Sequence, residues 1–92
     1  MEEKKYLPIG SVVKTKKFSK KAMIVGYKIK TINEQTEIFD YVGCLYPEGL
    51  IDTSKYLAFN HSDIETVLDH GYQNEQYKQY IDILEKKSNN NQ

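Results

Sequence analysis

The 92-residue chain has no arginine and no tryptophan, a single cysteine and two prolines. Each scarcity weighs against a class of function. The missing guanidinium fork weakens the case for two-pronged recognition of phosphate or carboxylate. One cysteine cannot form an internal disulfide, and small secreted domains commonly rely on several. Apolar runs stop after a few residues and mean hydropathy is −0.67. A spanning helix needs roughly 20 apolar residues, so no membrane span is expected. The opening "MEEKKYLPIG" is charged and lacks the apolar core of a secretory signal, which points to a cytoplasmic protein.

Charge of one sign is also lacking overall, with 13 lysines balancing 13 acidic residues. It is nevertheless segregated. Residues 1–30 hold nine lysines against two glutamates, and residues 31–92 hold four lysines against eleven acids. The segregation fits either two solvated ends of one domain or a dipolar molecule with a basic docking edge.

What is present is patterned for strands. In "YLPIGSVVKTK", Pro8 and Gly10 mark a turn and Ser11 to Thr15 a first strand. "KKFSKK", residues 16–21, reads as a polar loop with Phe18 folded back. "AMIVGYKIK", residues 22–30, places Met23, Val25, Tyr27 and Ile29 on one face, with Gly26 suggesting a bend or bulge. "TINEQTE" is a polar hairpin connection. "IFDYVGCLY", residues 38–46, is apolar on both faces, as a covered central strand would be. "YPEGL" turns the chain, Pro47 at its second position and Gly49 at its fourth. A short strand at 56–59, a helical turn in "NHSDI" capped by Asn60 or Ser62, and a fifth strand in "ETVLDHGY" follow.

Residues 74–87 predict an amphipathic helix. Tyr77, Tyr80, Ile81 and Leu84 fall at i, i+3, i+4 and i+7, behind the N-cap candidate Asn74, and "SNNNQ" is a polar tail. The whole predicts one domain over residues 1–92, ordered from about 6 to 87. Its class is α+β: a curled antiparallel sheet or SH3-like partial barrel of about five strands, with a C-terminal helix.

Three constellations invite chemistry. Cys44 would need a base and an electropositive, accessible setting to act as a nucleophile; in a central strand it is an inert small hydrophobe. His61 and Asp63, with Asp69 and His70, lack the spacing of a metal site, and capping and surface roles suit them better. Lys14, Lys16, Lys17, Lys20 and Lys21 around Phe18 resemble the basic loop of a small nucleic-acid-binding barrel, but zero net charge and missing arginine weigh against it. No catalytic residue, cofactor or metal is expected. Protein contact is the remaining reading, with Tyr46, Pro47 and Glu48 of the turn and Tyr77, Tyr80, Ile81 and Leu84 of the helix as candidate partner-binding residues.

The ordered set "YLPIGSVV", "MIVGY", "FDYVGCLYPEGL", "FNHSDIETV" and "GYQNEQ" resembles a family of small uncharacterised proteins of Gram-positive bacteria, classed as a domain of unknown function. Genes of that family often lie near type VII secretion loci that encode LXG toxins. The resemblance spans about residues 6–85 and carries over no catalytic or ligand-binding residue. It implies a cytosolic accessory, adaptor or targeting chaperone for an LXG-type substrate. A nucleic-acid-binding or regulatory barrel using the Lys14–Lys21 loop is the alternative.

Overall fold

Five strands and one helix make up the computed structural model, which describes residues 6–31, 37–52 and 54–90. They are β1 (Val12–Thr15), β2 (Lys21–Thr31), β3 (Glu37–Tyr46), β4 (Leu57–Phe59), β5 (Ile64–Asp69) and α1 (Glu75–Asn90), with a 3-10 turn at His61–Asp63. All pairings are antiparallel, and the sheet order is β4-β3-β2-β1-β5. The sheet stays open, with β4 and β5 as its edges. This is the small α+β fold expected from the strand and helix patterns.

The N-terminal turn sits differently from the expectation. The Ser11 N–H donates to the Pro8 carbonyl at 3.1 Å and Gly10 takes φ +95°. Pro8 is therefore the first position and Gly10 the third, where a left-handed residue is required. The "YPEGL" turn also starts earlier. It closes by the Gly49 N–H donating to the Leu45 carbonyl at 2.7 Å, with Gly49 at φ +82° and a cis bond between Tyr46 and Pro47.

The β2 face assignment needs a correction. Ala22 and Ile24 point into the core, while Val25 is exposed and Met23 lies on the opposite face. The register with β3 slips between Ile24 and Gly26, so Val25 is an extra residue and the alternation restarts at Tyr27. Strict period-2 reading fails here because a bulge moves every later side chain to the other face. Gly26 is the local enabler: a Cβ there would lie 2.8 Å from Val42 Cγ1.

The central strand β3 is covered on both sides, with Tyr41 to Cys44 all buried. Its inner face presents Tyr41 and Gly43; its outer face presents Val42 and Cys44. Gly43 is forced by packing, since a Cβ would meet the Met23 carbonyl oxygen of β2 at 2.6 Å. The inner face holds the core of Tyr6, Val13, Ala22, Ile24, Tyr41 and Phe59. Phe18 folds back edge-on to Phe59, 6.2 Å between centroids.

The expected fifth strand is present but ends at Asp69. Gly71 takes φ +71° and passes so close to Ile9 and Ser11 that a Cβ would lie 3.0 Å from the Ile9 carbonyl oxygen. The chain then enters α1, where the Asn74 side-chain oxygen accepts the Tyr77 N–H at 3.0 Å as an N-cap. The helix turns Ile81 and Leu84 into the same core. It runs on through Asn90 rather than stopping at residue 87, because Ser88 to Asn90 include no glycine or proline to end it. The expected 31–37 connection lies, in its residues 32–36, outside the described residues.

Candidate functional site

Before β1, Gly10 and Ser11 already pair with Ile24 of β2, but Tyr6 and Leu7 lie beyond that pairing, and a buried peptide group without a partner is costly. Tyrosines supply the partners. The Tyr77 hydroxyl donates to the Tyr6 carbonyl and the Tyr27 hydroxyl to the Leu7 carbonyl, while the Leu7 N–H donates to the Tyr41 hydroxyl at 3.0 Å. Three side chains from α1, β2 and β3 thus clamp Tyr6 to Pro8 as a strap along the helix. The Tyr6 ring packs edge-on against Tyr27 and Tyr41, at 5.7 and 5.8 Å between centroids. The Lys28 ammonium lies 5.6 Å from the Tyr6 ring centroid, carried there by a residue whose φ is +54°.

Tyr41 is wholly buried, and its hydroxyl also lies 2.8 Å from His61 Nδ1. The two share one hydrogen bond, and the His61 tautomer sets which of them donates it. The His61 N–H is bound by the Asp40 carboxylate at 2.9 Å, and Asp63 reaches back to the Asn60 N–H at 2.9 Å. Asn60 in turn accepts the Asp40 N–H at 3.0 Å. Burial pushes the Tyr41 hydroxyl well above the ordinary phenol range. It raises Tyr27 to about 12, helped by the neighbouring Tyr77 and Tyr80. Tyr77 rises less, through burial and then the Glu85 carboxylate. These phenols are held neutral, Tyr27 and Tyr77 as hydrogen-bond donors to backbone and Tyr41 as an acceptor from it, which is a structural task.

The clamp was not anticipated from the sequence. The available signal was the residue type itself: tyrosine in an inward-facing strand position, where phenylalanine would fill the space, implies a partner for the hydroxyl.

Between β3 and β4 the chain behaves in the opposite way. Tyr46, Leu50, Ile51 and Tyr56 all face water, Ile51 at 68 % exposure. Pro47 and Glu48 are exposed beside them. The Lys20 ammonium and the Glu48 carboxylate meet at 2.8 Å and hold the Glu48 pKa below the usual carboxylate range. This joins the "YPEGL" turn to the lysine-rich β1–β2 loop. Lys17 is drawn the same way, donating to the Ala58 carbonyl at 3.2 Å with its ammonium 4.8 Å from the Phe39 ring centroid.

The expected helix residues divide. Ile81 and Leu84 belong to the chain's own core and Tyr77 to the clamp, whereas Tyr80 is half-exposed with Ile83 beside it. A partner approaching α1 would meet Tyr80 and Ile83, not Ile81 and Leu84. Beside the strap, α1 walls a groove of about 650 Å³ whose lining includes Leu7, Tyr77, Glu75, Lys78, Asp82 and Glu85.

Cys44 is 3 % exposed in the middle of the sheet. Asp69 accepts the Gly71 N–H at 2.9 Å and His70 is exposed. Among the described residues no three His, Cys, Asp or Glu side chains converge as a metal site, and no helix is long and apolar enough to cross a membrane.

A family model described as "Domain of unknown function (DUF4176)" matches residues 6–80, from the strap to the exposed Tyr80 of α1. No curated protein and no solved structure matches the chain.

Proposed function

From the premise that the chain belongs to the DUF4176 family, we propose that it is a non-enzymatic, protein-binding adaptor, acting as an accessory or targeting chaperone for an LXG-type substrate of type VII secretion. The secretion context, with the bacterial setting and the cytoplasmic location, rests on the family resemblance described above. Protein binding is supported by one observation. Within eleven residues, 46–56, four large apolar side chains stand in water while the core of the same domain is complete without them. Isolated exposed apolar residues are ordinary, but a concentration of them marks an interaction surface.

In this reading the adaptor covers an apolar helical face of its client with the exposed side chains of the β3–β4 connection. Tyrosine suits the role because it buries a large ring at small entropic cost and keeps a polar tip for the rim. The open edge of β5 offers a second means of contact, through backbone hydrogen bonds to an added strand. A specific complex of this kind buries at least about 1,000 Å² in total.

Affinity capture of the tagged protein from its native host, with mass spectrometry of what co-elutes, tests the proposal. An LXG-type protein at near-equal amounts is the expected result, reduced when Ile51→Ser and Tyr56→Ser are combined. Recovery of RNA-associated proteins that vanish on nuclease treatment would assign the lysine loop to nucleic acid instead and overturn the adaptor reading.

A further inference from the structure

The groove between the Tyr6–Pro8 strap and α1 differs in chemistry from the exposed β3–β4 connection. Its helical wall carries Glu75, Asp82 and Glu85 against one ammonium, Lys78, at i, i+7, i+10 and i+3 along a single flank. Asp82 is only loosely countered, by Lys86 one turn on at 3.5 Å between two exposed side chains. Its floor is apolar and fixed: Ile81 and Pro8 are buried, and Leu7 and Tyr77 are half-buried, with Tyr77 tied to the strap through its hydroxyl. At about 650 Å³ it lies within the roughly 300–1,000 Å³ span of established ligand sites.

From this pairing of a preformed apolar floor with an acidic wall, we infer that the groove docks a lysine- or arginine-bearing apolar segment of a protein partner. The occupant follows from complementarity. A cationic side chain over the groove meets Asp82 and Glu85, which are neighbours at i and i+3, a second cation one to two turns away meets Glu75, and an aliphatic or aromatic side chain between them meets the half-buried Leu7 and Tyr77. An acidic or purely polar segment would place like charge against Glu75, Asp82 and Glu85. The strap is held at both backbone groups of Leu7 by hydroxyls from two strands, so the groove exists before the partner arrives and little ordering cost remains. The inference rests on the protein-binding reading above and assigns it a second site.

The test uses the full chain and two synthetic amphipathic peptides, one of leucine and lysine and one with glutamate replacing every lysine. Binding is followed by amide chemical shifts and by titration at low and high salt. The lysine peptide is expected to bind and to shift the amides of Leu7 and of residues 75–85. Its affinity should weaken at least tenfold in high salt and at least tenfold in the combined variant Glu75→Lys, Asp82→Lys and Glu85→Lys. The milder pair Asp82→Asn and Glu85→Gln leaves helix capping intact and should give a smaller loss with unchanged thermal unfolding. Equal binding of both peptides, unaltered affinity in the charge variants, or shifts centred on residues 46–56 would overturn the assignment. So would self-association of the free chain mapping to this groove, which would give it to a second copy. If the charge variants still capture the same LXG-type client from the host, the groove assignment fails while the adaptor reading stands.

Discussion

The eight tyrosines of this chain fall into two sets. Tyr6 lies in the strap and Tyr27, Tyr41 and Tyr77 converge on it, where the rings fill the core and the hydroxyls of these three satisfy backbone. Tyr46, Tyr56, Tyr72 and Tyr80 are exposed, Tyr72 at 77 %. Composition and local pattern treat all eight alike. The first set shows how a small open sheet secures a segment that lies beyond its strand pairing. The second stands in water, with only Tyr80 also touching the first set, its ring centroid 6.0 Å from that of Tyr27.

The sharpest way to break the comparison is to truncate one member of each set. Tyr41→Ala should cost about 3–5 kcal/mol in urea unfolding, in the range of large aromatic deletions. Tyr56→Ala should stay within about 0.5 kcal/mol. Comparable losses at the two sites would dissolve the distinction.

Gly43 lies two residues from Tyr41 on the same face, against both Met23 of β2 and the Phe59 ring. Gly43→Ala should destabilise by about 1–3 kcal/mol or more, because the obstructing atom is a backbone carbonyl oxygen that cannot rotate away. Gly26→Ala, opposed by a side-chain methyl, should cost less.

Tyr41→Phe keeps the ring and removes only the hydroxyl, stranding the Leu7 N–H. A loss of about 1–3 kcal/mol is expected, with faster amide exchange at Leu7 than in the parent protein. Faster exchange without a loss of stability would mean that water replaces the hydroxyl, and that the strap is held by packing alone.

Alkaline pH probes the same clamp. The unfolded chain releases the Tyr27 proton near 10 and the native chain near 12. Because the native state holds the proton more tightly, the contribution is complete below pH 10 and is lost as pH rises towards 12. Urea midpoints should therefore be steady up to about pH 10 and fall above it, and Tyr27→Phe should flatten that fall. The smallest effect belongs to the outer set: replacing Tyr46 and Tyr72 by serine should leave the unfolding midpoint almost unchanged while weakening capture of the partner through Tyr46.

Much of the fold was legible because its signals are local. Alternation marked the strands, Asn74 and the 3.6-residue stripe marked α1, and Asn60 marked the 3-10 turn. The inward face of β2 was misread because one extra residue at Val25 reverses the alternation, and a bulge is visible only against its partner strand. The end of α1 was misread because polar Ser88 to Asn90 resemble a tail but contain nothing that stops a helix. Of the residues considered for partner contact, Tyr46, Pro47 and Glu48 stand in water, while Ile81 and Leu84 are committed to the core. A helical stripe has the same pattern whether it faces its own sheet or another protein.

By itself the sequence determined the element types, the turns at Gly10 and Gly49, the capped helix and the absence of any arginine-based recognition. These depend on backbone preferences and on periodicity over a few residues. Tertiary structure alone decided which three tyrosines hold the strap, how Gly43 admits the Met23 carbonyl, and that acidic residues of α1 line one groove with Leu7. Those outcomes join residues up to 71 positions apart, as Tyr6 and Tyr77 are. Only the folded chain brings such partners within hydrogen-bonding distance.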